Sequence, residues 1–506
     1  MKMRKKAMIV MSLLTLLLVL SACGSREEIY GRIAKISGDR IIVDNGTYSS
    51  VDGNKGCDPA FHSDGSQSSY SLGEEIDTVG LPEDTVVKLT ISNHKVTAIE
   101  TLETEDSSAM SVPPEGQPSS LSAVYVIDGQ KKTSSNETYG SNQSNIDTIL
   151  VKNKGTFHML GGTLTKTGDT TSEEKSEGYG LNALFTASGG SSATLDSTQF
   201  TSSGNGANAV FAIGKNTKID ADAFDIYTSG ISSSGLEATQ GGSIYASEGM
   251  ITTKGSSSAP LAVGSENGTL QVSNTEIRSS GRRSPCIFSS GTVTATSLTG
   301  TASNSPIAML DNGGKVALDN CLLLGAGDYG FLMQPQSGNI KSGKTLLKIK
   351  NSKLTSTAKG PMFYISGLNG TAILESTSLY YDNTVLAEVN RNSSFTLKAA
   401  SQDLKGTIKY ARGSSVLLKL TKGSTFKGTF RASSHSGSAS ITLDPSSVWT
   451  VTSDCHVHSI TNRDTSCRNI KSNGHTVYYN ASHPSNSWLR GKTIYLPGGG
   501  TLTPEQ

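Results

Sequence analysis

The sequence predicts an all-β protein in which a small β-barrel or β-sandwich precedes a right-handed parallel β-helix with three short strands per coil. Three observations support this fold class. Only 35% of the 506 residues are hydrophobic and 17% are charged, while 54 are Gly. Gly and Thr are poor helix formers, so this composition argues against a helical protein. Short apolar segments recur every 21 to 30 residues, and apolar and polar residues alternate within strands, as expected for strands buried on one face.

The first segment has the layout of a bacterial lipoprotein signal. A positively charged stretch at residues 2–6 is followed by an apolar run over residues 7–20, which is too short for a comfortable membrane span. The run ends in Leu20-Ser-Ala-Cys23-Gly, which resembles a lipobox. We therefore expect residues 1–22 to be a signal peptide and Cys23 to carry lipid that holds the chain on the extracellular face of the cell membrane. An ordinary secretory signal with an unrelated cysteine is the alternative.

Residues 23–104 are predicted to form the small β domain. Two strands surround the turn Ser37-Gly-Asp39, and two more surround the turn that begins at Ser92. The segment 51–72 is polar and rich in Gly and Ser, so it is expected to be a loop. Residues 105–122 contain three prolines among acidic residues and serines, which is typical of a linker.

The remaining chain, residues 123–506, is a repeat. A turn residue followed by a short apolar strand recurs, beginning at Gly180, Gly206, Gly235, Ala259, Ser284, Ser305, Gly330 and Gly360. A period in the twenties allows three short strands and three turns per coil, and gives about fifteen coils. The Leu-rich consensus of leucine-rich repeats is missing, and a propeller blade needs about forty residues. A parallel β-helix is the remaining solution, capped by Ala123–Ile127 at its start and by Trp449 and Trp488 at its end.

These coils, together with the segments Asp444–Thr452 and Asn473–Tyr479, resemble pectin lyase-like β-helices. The resemblance is closest to adhesin and autotransporter-passenger domains and to a group of bacterial β-helix surface lipoproteins. It implies the fold, but only weakly an activity, because adhesins, lyases and hydrolases share the scaffold.

The catalytic signatures of that family are not evident in the sequence. Its galacturonan hydrolases use clustered Asp residues and a Gly-His-Gly element, whereas this sequence has neither an Asp-Asp pair nor Gly-His-Gly. Its lyases use a carboxylate cluster for Ca²⁺. Here the carboxylates of the repeat are scattered: Glu237, Glu266, Asp311, Asp328, Glu375 and Glu388. Stacked coils could still bring two of them together, so the sequence favours a non-catalytic protein without excluding an enzyme.

Two further groups of residues are candidates for binding sites. Asn182 and Asn208 follow the same turn residue in successive repeats, which predicts either a ladder of stacked amides or a polar ligand site. Cys455, His456, His458 and Cys467 are all possible metal ligands. The tight Cys pair of zinc sites is missing, so an incidental cluster or a Cys455–Cys467 disulfide is favoured over a metal site. No cofactor is expected.

The most informative feature is electrostatic. Residues 341–431 contain 15 Lys and Arg but only 4 Asp and Glu, although the net charge of the whole chain is +1. Stacked coils would align several of these lysines into a basic face that attracts anionic polymers. Two adjacent tyrosines could stack on sugar rings beside this region, although one of them is expected to lie in the core. The predicted ligand face consists of Lys348, Lys350, Lys398, Lys405, Lys409, Tyr380 and Tyr381. A solvated face balanced by nearby acids is the alternative.

Together these observations predict a non-catalytic, adhesin-like surface lipoprotein that binds a glycan or another anionic surface polymer. A polysaccharide lyase or hydrolase on the same scaffold, or a self-associating envelope protein, are the alternatives. The overall charge gives no indication of nucleic-acid binding.

Overall fold

The computed structural model describes residues 27–37, 40–49, 60–73, 76, 85–93, 95–102, 121–265, 267–336, 344–432 and 437–505. The chain forms two compact units, Met1–Ala109 and Met110–Gln506. The predicted signal peptide, Cys23, Glu266 and most of the linker lie outside the described residues. No helix in the described part of the chain is long and apolar enough to span a membrane.

The first unit contains a closed barrel of five strands in its described part. In spatial order the strands are Glu27–Ser37, Arg40–Ser49, Ala60–Leu72, Lys95–Thr101 and Val86–Ser92. Its core is made of β-branched and leucine side chains: Ile33, Ile41, Val43, Val87, Leu89, Ile91 and Val96. The prediction of a loop over residues 51–72 is wrong for Ala60–Leu72. This segment pairs antiparallel with Arg40–Ser49, and only a few of its side chains, such as Tyr70 and Leu72, need to be apolar because they pack on the core.

The second unit is a parallel β-helix in which the chain passes through three sheets in turn. Sheet 1 has fifteen described strands, which are Ala123–Asp128, Asp147–Lys152, Phe185–Ala187, Val210–Ile213, Leu236–Thr239, Leu261–Val263, Ile287–Ser289, Ala308–Leu310, Phe331–Met333, Phe363–Ser366, Val385–Asn390, Asp403–Tyr410, Thr425–Ala432, Val448–Val451 and Ile470–Lys471. Sheet 2 has fourteen, which are Lys131–Ser135, Thr156–Leu160, Ser192–Asp196, Lys218–Asp222, Ser243–Ser247, Thr269–Ser273, Thr292–Thr296, Lys315–Asp319, Thr345–Lys350, Asn369–Glu375, Ser394–Ala400, Ser415–Thr421, Ser438–Leu443 and Ser459–Asn462. Sheet 3 has ten, which are Thr138–Ser141, Thr163–Lys166, Gln199–Ser202, Asp225–Thr228, Met250–Thr253, Glu276–Ser279, Thr299–Ala302, Leu322–Gly325, Lys353–Ser356 and Ser378–Tyr381. The predicted fold class, an all-β chain with a parallel β-helix of three strands per coil, is confirmed.

Alternation within each strand sends one set of side chains into the coil, where residues of successive coils stack. Phe331, Phe363 and Phe395 form one such stack, with ring centroids 5.5 and 6.0 Å apart along the series. All three are essentially unexposed. Burying a side chain of this size contributes about 1.5–3 kcal/mol, so the repeated inward positions are the main stabilising feature of the rod.

The last coils have two described strands instead of three. The last described strand of sheet 3 is Ser378–Tyr381, and in the following coils the chain passes into sheet 1 through the long strands Asp403–Tyr410 and Thr425–Ala432. Gly406, with φ of +105°, bends the first of these strands. A Cβ on Gly428 in the next coil would lie 2.0 Å from the Gly406 carbonyl oxygen, so only glycine fits there.

A small cap sheet closes the C-terminal end. Its described strands, in spatial order, are Cys455–Val457, Val477–Tyr479, Thr501–Pro504 and Ile494–Tyr495. Trp449 is wholly buried in sheet 1. Trp488, in the 3₁₀ helix Pro484–Leu489, packs against the core and donates from Nε1 to the Ile460 carbonyl at 3.0 Å.

Candidate functional site

Residues that point outward from the coils form rows, because parallel strands in register place equivalent residues about 4.8 Å apart. The central row of sheet 2 joins residues of successive strands in the order Thr194, Asp220, Tyr245, Gln271, Thr294, Ala317, Lys348, Ile373, Lys398, Lys419 and Thr442. Its first part is acidic and aromatic, and its last part is basic.

The first part of the central row lines a surface depression of about 210 Å³. Asp220, Tyr245 and Gln271 form one side, and the neighbouring row contributes Asp222, whose carboxylate accepts a hydrogen bond from the Ser247 hydroxyl at 2.5 Å. Lys218 lies at the rim, with its Nζ 2.9 Å from Asp220 Oδ2 and 4.9 Å from the Tyr245 ring centroid. The Lys218 ammonium group is thus already paired with a carboxylate.

The last part of the central row, Lys348, Lys398 and Lys419, is here called the lysine row. All three side chains are exposed. Lys398 and Lys419 are in adjacent coils, while Ile373 separates Lys348 from Lys398. The backbone spacing along the row is therefore about 9.6 and then about 4.8 Å. Among the described residues, no carboxylate lies within ion-pair distance of these three ammonium groups.

Lys350 has a different environment, although it is only two residues from Lys348. In its row it lies between Asp319 and Glu375 in the adjacent coils. Lys422 Nζ is 2.9 Å from Glu375 Oε1, and this contact, with Lys350 adding to it, lowers the pKa of Glu375. The row that contains Lys350 is thus electrically balanced by acids.

The other predicted members of the ligand face lie on different sheets. Lys405 and Lys409 are on sheet 1, and Tyr380 is on sheet 3, where the Lys353 ammonium lies 5.1 Å from its ring centroid. Tyr381 points into the coil and is 6% exposed. Burial raises the pKa of Tyr381 to about 12, and its hydroxyl donates to the Lys405 carbonyl. The seven residues therefore do not share one face, because the position within a coil, rather than nearness in sequence, decides the sheet.

Sheet 1 has its own outward row, which joins Leu150, Thr186, Phe211, Glu237, Ala262, Phe288, Met309, Leu332, Tyr364, Glu388, Lys409 and Arg431. The residues from Leu150 to Met309 are buried although they point away from the core, whereas Arg431 is exposed. Tyr364, between these parts, stacks on Tyr329 with ring centroids 4.2 Å apart.

The helix α1, Glu173–Tyr179, covers part of the buried half of this row. Ser172 caps its N-terminus, and Gly180, with φ of +78°, ends it. Tyr179 forms a small apolar cluster with Phe211 on the outside of sheet 1. The Thr239 hydroxyl donates to the Gly178 carbonyl at 3.2 Å. The helix is thus fixed to two adjacent strands of the sheet.

Glu237 lies beneath this helix and is wholly buried. Burial raises its pKa well above the usual value, the nearby Glu177 of the helix raises it further, and a contact with the Ser234 hydroxyl opposes the rise. In the sequence, Glu237 is one of several scattered carboxylates. Its burial could have been predicted from its place in the apolar strand Leu236–Thr239, beside positions that carry Phe and Ala in adjacent coils.

The two candidate asparagines do not stack. Phe185 pairs with Val210, so the preceding residues place Asn182 beside Ala207, and Asn208 beside Ala183. The Asn182 amide donates to the Gly168 carbonyl at 2.7 Å, and that of Asn208 to the Ser176 carbonyl at 3.0 Å. The expectation of an Asn ladder is therefore corrected: the insertion that contains helix α1 shifts one repeat by a residue, and each amide satisfies local backbone instead.

A serine ladder occupies the turn before sheet 1. It consists of Ser233, Ser258, Ser284 and Ser305 in successive coils. The Ser258 hydroxyl donates to the Gly230 carbonyl at 3.1 Å and accepts from the Ser233 backbone N–H at 2.9 Å. This arrangement satisfies backbone groups that would otherwise be buried without partners.

The four candidate metal ligands near the C-terminus do not converge. Cys455 points inward and His456 outward, since they are adjacent on one strand. The His456 ring stacks on Tyr478 at 4.7 Å, and its Nδ1 is 3.0 Å from Glu505 Oε1. Exposed His458 instead contacts His483, with ring centroids 4.7 Å apart. Cys455 and Cys467 are free and buried, and in the described part of the chain no group of three or more His, Cys, Asp or Glu could hold a metal ion.

Comparisons with known proteins assign this chain to no family. No family model matches the sequence, and no curated protein matches it. The chain is similar to a chain of the cryo-EM structure of the Vag8–C1 inhibitor complex, with 16% identity and a TM-score of 0.37, over 68% of this chain and 98% of the other. This identity and TM-score are too low for a shared function to follow.

Proposed function

We propose that this protein is a lipid-anchored, non-catalytic surface protein whose β-helix binds an anionic polymer, such as an acidic glycan, through the lysine row of sheet 2. The lipid anchor rests on the signal-like residues 1–22 and on Cys23. The polymer-binding role rests on one observation. Lys348, Lys398 and Lys419 follow one straight line across the coils, and all three are exposed.

The geometry of the row favours a polymer over a small anion as the proposed ligand. The lysine row spans four coils, about 14 Å of backbone spacing, and its three lysine side chains are exposed. A single small anion could contact only one or two of these groups, and exposed charges are screened by salt. A chain of regularly spaced anions could contact all three at once, and it gains from each additional contact.

The residues beside the lysine row favour a narrow, extended ligand that lies along this row and does not cover the adjacent one. Lys350, in the adjacent row, lies between Asp319 and Glu375, so the positive potential falls on that side. An extended anion lying parallel to the rod axis would follow the lysines and avoid both carboxylates. The binding is therefore expected to be electrostatic, oriented and salt-dependent.

The proposal is tested with the chain from residue 24 to 506 on an array of acidic and neutral glycans and cell-wall polymers, at low and at high salt. The variant Lys348→Gln/Lys398→Gln/Lys419→Gln should bind acidic polymers on the order of a hundredfold more weakly at low salt, since each surface lysine contributes about 1 kcal/mol to binding an anionic surface. A control variant with Lys154→Gln, Lys215→Gln and Lys254→Gln removes the same charge from exposed positions away from this row.

Binding of acidic polymers by the wild type and the control, with loss in the lysine-row variant, supports the proposal. Three results overturn it: no acidic polymer bound by the wild type at low salt, equal losses in both variants, or binding that does not change with salt.

A further inference from the structure

We propose that the depression beside Tyr245 on sheet 2 binds one ring of an uncharged saccharide, which stacks on the tyrosine and hydrogen-bonds to the polar side chains around it. The depression lies on the same sheet as the lysine row, but Tyr245 and Lys348 are four steps of the central row apart, about 19 Å at the usual strand spacing. This second site goes beyond the anionic polymer proposed above and does not rest on it.

The shape of the depression follows from one large side chain beside small ones. In the central row of sheet 2, from Thr194 to Thr442, Tyr245 is the only aromatic residue. The adjacent row carries Ser247 and Ser273, whose short side chains line a recess of about 210 Å³ next to Tyr245. Pockets that enclose a whole small-molecule ligand measure about 300–1,000 Å³, so this smaller, open recess suits a single ring of a longer chain.

The Tyr245 ring is accessible as a stacking surface. The residue is 38% exposed and points away from the core, between the buried side chains of Ile244 and Ala246. The Lys218 ammonium lies 4.9 Å from the ring centroid, but Lys218 is not among the residues that line the depression. The face of a sugar ring carries C–H groups with a small positive charge, and the negative face of an aromatic ring attracts such groups.

The polar groups of the recess match the hydroxyl groups of a sugar. The Asp222 carboxylate accepts a hydrogen bond from the Ser247 hydroxyl at 2.5 Å, and a carboxylate has further acceptor positions for ligand hydroxyls. The exposed Gln271 amide offers both donors and an acceptor, and Thr194 and Ser273 add hydroxyl groups to the lining. A sugar hydroxyl both donates and accepts, so it can pair with each of these groups.

The charges around the recess favour an uncharged ligand. Asp222 lies beside Asp196 in the adjacent coil, and Asp220 completes a group of three carboxylates. Lys218 is paired with Asp220, with 2.9 Å between Nζ and Oδ2. An anionic sugar would therefore meet a net negative potential. A simple cation would use the carboxylates but not the amide and hydroxyl donors, whereas an uncharged saccharide uses the whole lining.

The experiment measures the binding of uncharged oligosaccharides to the chain from residue 24 to 506. The panel contains cellohexaose, mannohexaose, maltohexaose and N-acetylchitohexaose, and the cationic hexamer of glucosamine represents the alternative ligand class. Titration calorimetry with millimolar ligand, at low and at high salt, gives each affinity. We expect at least one uncharged hexasaccharide to bind with an affinity that salt does not change, because no ion pair with the ligand is formed.

Three variants of the depression locate the site. Tyr245→Ala removes the stacking surface and should weaken binding of that saccharide about tenfold or more. Tyr245→Phe keeps the ring, so its affinity should stay within about threefold of the wild type. Asp222→Ala should weaken binding on the order of tenfold, because hydrogen bonds to a charged group are lost.

Tyr227→Ala is the matched control on sheet 3. The Lys254 ammonium lies 5.1 Å from the Tyr227 ring centroid, much as Lys218 contacts Tyr245, but Tyr227 does not line the depression. This variant and the triple variant of the lysine row should bind the uncharged saccharide as the wild type does. The triple variant also separates the two proposals, since it should lose acidic polymers while keeping the uncharged saccharide.

Loss of binding in Tyr245→Ala and Asp222→Ala, with retention in Tyr245→Phe and Tyr227→Ala, supports the site. The site is overturned if the wild type binds no uncharged member of the panel, or if Tyr245→Phe loses as much affinity as Tyr245→Ala. It is also overturned if either control loses binding equally, or if only the glucosamine hexamer binds, in a salt-dependent way, which would make the depression a cation site. Circular dichroism of each variant establishes that it is folded.

Discussion

The two halves of the outward row on sheet 1 have the same backbone geometry but opposite environments. In the N-terminal half, Phe211 and Phe288 point away from the coil and are still unexposed. In the C-terminal half, Glu388 and Lys409 are half-buried and Arg431 is exposed, at equivalent positions in the same register. The first half is a second, external apolar layer, and the other is an ordinary charged surface.

This difference shows that the coil fixes where an outward side chain lies but not whether it meets water. The insertion between sheet 3 and sheet 1 that contains helix α1 supplies the cover for Phe211 and Glu237. Where the chain instead enters sheet 1 through the long strands Asp403–Tyr410 and Thr425–Ala432, these strands leave little chain between the sheets to cover the row. Equivalent positions of one row can therefore carry a buried side chain in one coil and an exposed side chain a few coils later.

The largest loss of stability is expected from a substitution in the apolar half of the outward row on sheet 1. Phe211→Ala should lower the free energy of unfolding of the N-terminal coils by about 3–5 kcal/mol, as for a core phenylalanine, because it leaves a cavity under helix α1. Hydrogen exchange of residues 199–239 and the denaturant midpoint measure this. Phe211→Leu is the control and should recover most of the loss. A cost near zero would mean that the helix does not pack on the sheet in solution.

An intermediate effect is expected from the serine ladder that precedes the covered half. Ser258→Ala should cost about 1–3 kcal/mol, because the Ser233 N–H and the Gly230 carbonyl lose their partner. Ser256→Ala, in the same turn but partly exposed, should be close to neutral by thermal unfolding. Equal effects of the two changes would contradict the ladder.

The smallest change in stability is expected from a substitution in the C-terminal half of the outward row on sheet 1, which no inserted segment covers. Lys409 lies in the same row as Phe211. We expect Lys409→Ala to change the free energy of unfolding by no more than about 0.5 kcal/mol, as surface substitutions usually do. The same denaturant titration measures it. A loss comparable to that of Phe211→Ala would show that the two halves do not differ in the way the burial of their side chains indicates.

Much of the architecture could be predicted from the sequence. The repeat of 21 to 30 residues and the alternation within strands predicted stacked coils, because the repeat is too short for a propeller blade and lacks the Leu-rich consensus. The strand Ala60–Leu72 was missed, since a barrel strand with few core contacts carries little hydrophobic pattern. The one-residue shift that separates Asn182 from Asn208 was missed as well, because the pairing of strands in different coils is a long-range property.

The candidate surfaces were predicted only in part. The excess of lysine over residues 341–431 was visible, but the composition of a segment does not say on which sheet each side chain lies. The structure groups Lys348 with Lys398 on sheet 2, assigns Lys405 and Lys409 to sheet 1, and buries Tyr381 in the core. Glu237 carried no signal of its own beyond an acidic residue in an apolar strand.

The sequence by itself determined that this chain is all-β and that its larger part is a stack of coils. The alternation of apolar and polar residues indicates strands within each short segment, without knowledge of the segment's neighbours in space. Only the tertiary structure decided which side chains share a row, which rows are covered and where a carboxylate is left without water. Those outcomes depend on register and on inserted segments between residues far apart in the chain. Charge and solvation energies depend on distances that local sequence does not contain.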